Sequence, residues 1–108
     1  MPNAEEEAVI VRSVIQEMSE DILSKIHVLE DELTEAISHA RSGEYDGNEI
    51  GQGELVLFMY GPNAESLLAS VEAKLRESEL TRLSLITIRY GGPGAPTRIV
   101  RLSDVKLM

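Results

Sequence analysis

Six consecutive apolar residues, Leu55-Val56-Leu57-Phe58-Met59-Tyr60, stand between Gly53-Glu54 and the breaker pair Gly61-Pro62. The run is short for a helix and has no polar alternate positions, so it reads as a strand covered on both faces near the middle of a sheet. It is also far below the ~20 apolar residues a membrane span requires. Any fold for this chain has to be assembled around that strand.

The flanking patterns supply the rest of the sheet and its cover. Residues 8–17 are rich in β-branched side chains, with Arg12, Ser13 and Gln16 polar, and fit a first strand. Ser19 precedes Ile22, Ile26, Leu29, Leu33, Ile37 and Ala40, a 3.6-residue stripe that predicts a helix over 20–41. Glu20 and Asp21 suit its first turn and Arg41 its last, and Gly43 is expected as a left-handed C-cap. The glycine-rich stretch 43–53 has turn composition, with room for a short edge strand around Tyr45 to Ile50. Asn63 caps a second helix, whose Leu67, Leu68, Val71 and Leu75 form its stripe to near Ser78. A fourth strand, Leu83 to Tyr90, presents Ile86, Ile88 and Tyr90 on one side and Leu85, Thr87 and Arg89 on the other. After the turn Gly91 to Pro96 a fifth returns over Thr97 to Leu102.

The order strand, helix, strand, strand, helix, strand, strand predicts a single α+β domain over residues 1–108. The expected architecture is a ferredoxin-like two-layer sandwich, βαββαβ plus an extra C-terminal strand, with two helices on one face of a mostly antiparallel sheet. The crossover rule places the first strand beside Leu55 to Tyr60 and the 43–53 segment toward one edge. Residues 1–7 are expected to be a disordered tail.

Charge is the first functional clue. Ten Lys and Arg against 19 Asp and Glu give a net charge of −9, a sign that repels nucleic-acid phosphates and anionic lipid and attracts a basic protein. The imbalance lies in residues 1–49, with 13 acids against 3 bases, whereas residues 50–108 carry 6 against 7. On the first helix Glu20, His27, Asp31 and Glu35 point outward, with Glu30 and Glu32 on the shoulders. Asp31 and Glu35 are like charges four apart, an arrangement that costs an isolated helix a few tenths of a kcal/mol. This face, with Asp46, Glu49 and Glu54 expected nearby, is the candidate docking surface, and Glu30 is its rim contact.

Chemistry by catalysis or metal binding finds no pattern here. The chain has no cysteine, which removes disulfides, thiol nucleophiles and zinc-thiolate sites. Asp46-Gly47-Asn48-Glu49-Ile50-Gly51 matches a calcium loop at three positions but puts Ile50 and Leu57 where oxygen ligands belong. His27 and His39 lie in different directions on one helix, and neither His-Glu-x-x-His nor Gly-x-Ser-x-Gly occurs. The sheet face away from the helices is expected to carry Arg12 and Arg89, with Arg98 or Arg101 depending on register. With aromatics at 4% it lacks the stacking platform of an RNA-binding sheet. We therefore expect no catalytic residue, no metal and no cofactor, and neither a nucleic-acid nor a membrane partner. The acidic N-terminus, unlike a signal peptide, leads us to expect a cytoplasmic protein.

Three segments carry a resemblance: Gly43-Glu44-Tyr45-Asp46-Gly47-Asn48-Glu49-Ile50-Gly51-x-Gly53-Glu54, Leu57-Phe58-x-Tyr60-Gly61-Pro62-Asn63-Ala64-Glu65, and Tyr90-Gly91-x-Pro93-Gly94-Ala95-Pro96. Over residues 20–102 the chain resembles a widespread family of short, standalone bacterial α+β proteins, which brings no catalytic residue to carry over. In its small size, acidity and lack of cysteine it is also similar to the immunity proteins of contact-dependent growth-inhibition and related polymorphic-toxin systems. That likeness implies a non-catalytic inhibitor of a basic toxin domain, with a nuclease as the expected target. Asp31, Glu35, Asp46, Glu49 and Glu54 would act as phosphate mimics. The alternative expectation is a small ligand-binding or regulatory module that forms a homodimer through its open sheet face, around Val56 and Phe58.

Overall fold

A computed structural model describes residues 6–104. Its elements run β1 (Glu7–Val14), α1 (Glu20–Ala40), β2 (Glu44–Gly51), β3 (Glu54–Gly61), α2 (Ala64–Glu77), β4 (Leu85–Arg89), β5 (Thr97–Arg101) and a 3-10 turn (Leu102–Asp104). The strands form one sheet in the order β2-β3-β1-β4-β5, and every neighbouring pair is antiparallel. Both helices cover one face. This is the ferredoxin-like two-layer sandwich with an added edge strand, and β3, built on the apolar run, lies inside the sheet between β2 and β1.

The core forms where the two helical stripes meet alternate strand positions. Ile26, Leu29, Leu33 and Ile37 from α1 and Leu67, Leu68, Val71 and Leu75 from α2 pack with Val9, Val11, Leu55, Leu57, Met59, Ile86 and Ile88. Ala40, at the end of the expected stripe, is exposed, and Ile22 is half-buried. Ser19 caps α1 by accepting the Ile22 N–H at 3.1 Å, and Asn63 caps α2 by accepting the Ser66 N–H at 2.9 Å.

Two local expectations are corrected. Arg41, not Gly43, takes the left-handed C-cap (φ 55°, ψ 39°), because the chain turns into β2 with only three residues between the last helical position, Ala40, and Glu44. Gly43 serves close approach instead: a Cβ there would lie 2.0 Å from the Tyr60 carbonyl oxygen. The tail expected over residues 1–7 falls outside the described residues for positions 1–5, but Glu7 belongs to β1. Its carboxylate accepts the Ala64 N–H at the start of α2.

Among the described residues no helix lies over the other face of the sheet. Register partners share a face, so Ala8 joins Tyr60 and Arg89, Ile10 joins Phe58 and Thr87, and Arg12 joins Val56 and Leu85. The run expected to be covered on both faces is thus covered by helices on one only. Val56 is shielded by its strand neighbours to 7% exposure, whereas Leu85 and Ile99 stand 43% and 64% exposed. The register also decides between the two β5 arginines. Arg101, opposite Leu85, shares this face with Arg12 and Arg89, and Arg98, opposite Ile88, lies on the helix side.

Candidate functional site

The acidic surface is built on α1 and on the edge strand it packs against. Every fourth residue outward of the buried stripe is exposed, which places Asp31 and Glu35 side by side in solvent, next to Thr34, Ser38 and His39. Where α1 passes over β2, Glu30 does structural work. Its Oε2 accepts the Tyr45 hydroxyl and, at 2.8 Å, the Asn48 side-chain N–H. Burial, and then the bond to Glu30, push the Tyr45 hydroxyl above the ordinary tyrosine range. Glu30 is therefore the fastening between helix and edge strand. Tyr45 and Asn48, two polar members of the 43–54 motif, have their reason in holding it.

Acids on the side of α1 that faces α2 are neutralised. Lys25 pairs with Glu79 and, at 3.2 Å, with Asp21, and these carboxylates hold its ammonium above the ordinary lysine range. Lys74 reaches Glu32 at 3.8 Å. Among the described residues Asp31, Glu35, Asp46 and Glu49 have neither a hydrogen-bond nor an ion-pair partner through their side chains.

The structure divides the six expected site residues between two surfaces. Glu30, Asp31 and Glu35 are on the helix layer. Glu49, opposite Val56, and Glu54, opposite Val14, are on the open face of the sheet, and Glu54 there pairs with Arg12 at 3.5 Å. Glu54 faces this side by the regular register of β3 with β1; for Glu49 the cause is a bulge in β2. Tyr45 pairs with Met59 but Gly47 with Phe58, which leaves Asp46 without a partner on β3 and reverses the side-chain alternation beyond it. In a regular strand Glu49 would share the side of Tyr45; one extra residue moves it to the opposite face. Asp46 itself is exposed at the bulge on the sheet edge, within the strand that Glu30 fastens.

No group of three or more His, Cys, Asp or Glu among the described residues could hold a metal ion. No described helix is long and apolar enough to cross a membrane. No family model, curated protein or solved structure matches the chain.

Proposed function

We propose that the chain is a non-catalytic acidic binding protein of the immunity or antitoxin class, acting in the cytoplasm on a cognate basic toxin domain of the nuclease kind. One observation carries the reading: among the described residues, Asp31, Glu35 and Asp46 are left without internal cations on a helix and an edge strand that Glu30 fastens together. Like charges four apart weaken a helix slightly. A rigid layer that keeps them exposed is suited to meeting lysine and arginine side chains of a partner. Such carboxylates would take the positions of substrate phosphates and close the toxin's nucleic-acid site.

The experiment is capture of the stoichiometric partner from the protein's own host cells, with the wild-type chain and with Asp31→Lys/Glu35→Lys as bait. The expected result is a basic partner held at low salt, released as salt rises, and absent from the double variant. Equal capture by both baits would remove this surface from the account.

A further inference from the structure

The open sheet face carries a second pattern, independent of the acidic helix layer. Across the strands, its charges are sorted by sign. Glu44 and Glu49 on β2 and Glu54 on β3 make one half acidic, and Arg89 on β4 and Arg101 on β5 make the other half basic. Between them lie Ile10, Val56, Phe58 and Leu85, with Ile99 on the basic edge. A face that is mostly apolar between its charged sides, with Arg12 on its central strand, and opposite in charge at those sides is complementary to itself after a half-turn.

We propose that this face binds a second copy of the chain, sheet against sheet, about a two-fold axis running along β1. The register selects that axis. Rotation about the strand direction exchanges β2 with β5 and β3 with β4 while keeping each row. Glu49 then faces the row of Arg101, the flat Gly47 faces Ile99, Val56 faces Leu85 and Tyr60 faces Arg89. Rotation about the perpendicular in-plane axis would instead set Glu44 against Glu49 and Arg89 against Leu85. Aligned packing of two sheets, at about 30°, keeps each half over its complement. Arg12, on the central strand, meets its own counterpart, and Glu54 draws its guanidinium toward the acidic half at 3.5 Å. The dimer leaves the Asp31 and Glu35 surface free, so the two contacts are compatible and are tested separately.

Sedimentation of the full chain across a concentration series, with no partner present, tests the proposal. The expected result is a reversible dimer that weakens with salt. Glu49→Arg alone or Arg101→Glu alone should raise its dissociation constant by about tenfold, since each reversal disturbs both symmetry-related contacts. The combined Glu49→Arg/Arg101→Glu swap should restore wild-type association. A monomer at every concentration would overturn the proposal. So would a dimer that the swap fails to restore, or one weakened by Asp31→Lys/Glu35→Lys as much as by the single reversals.

Discussion

The carboxylate of Glu7, at the start of β1, accepts the backbone N–H of Ala64 at 2.7 Å, joining the first strand to the first turn of α2. An anion at this position satisfies one orphan amide and lies at the positive end of the helix dipole. The Asn63 cap satisfies another, at Ser66. Replacing Glu7 by Ala should lower stability by about 1–2 kcal/mol, and by Gln by less, because an amide oxygen still accepts the bond. Urea denaturation of the two variants checks the order.

Tyr45→Phe removes one of the two donors to Glu30 and should cost about 1 kcal/mol at neutral pH. It also has a pH signature. The fold raises the Tyr45 hydroxyl above its unfolded value, so its contribution is complete below about pH 10 and is lost as pH climbs through the folded value. The wild type should therefore lose stability above about pH 10 more steeply than Tyr45→Phe. Denaturation midpoints from neutral to alkaline pH measure the difference.

The entry into β2 makes a pair of opposite predictions. Gly43→Ala places a Cβ 2.0 Å from the Tyr60 carbonyl oxygen and must push two backbones apart, at a cost of about 3 kcal/mol or more. Arg41→Gly relieves a left-handed residue that is not glycine and should stabilise by up to about 1 kcal/mol. Thermal unfolding of both variants reads the two signs.

Much of this architecture was legible in the residues because burial imposes period. The stripe from Ile26 to Ile37 and the all-apolar run from Leu55 to Tyr60 define helix and inner strand, and alternation in Leu85 to Arg89 names the face of each side chain. The candidate site was legible only in part. Glu49 and Glu54 were expected beside the helix. Glu54 alternates with Leu55 on β3 and so faces away from the helices, whereas for Glu49 nothing in local pattern discloses that one unpaired residue, Asp46, reverses the alternation of β2 beyond it. The hydrogen bond that Tyr45 donates to Glu30 joins residues 15 apart on different elements, a contact that helical periodicity alone does not contain. The polar residues of the 43–54 motif were its one available signal.

If Asp31 and Glu35 steer the partner, their reversal should act on encounter. At low salt the association rate with the captured partner should fall by about tenfold, and its salt dependence should flatten. The dissociation rate should change less. Stopped-flow or surface-based kinetics at two ionic strengths separate these effects.

Neutralisation of a toxic partner is read in the growth of cells that express the captured partner. The partner alone should arrest growth, co-expressed wild-type chain should restore it, and Asp31→Lys/Glu35→Lys should not. A harmless partner, or rescue by the double variant equal to that of the wild type, would contradict neutralisation.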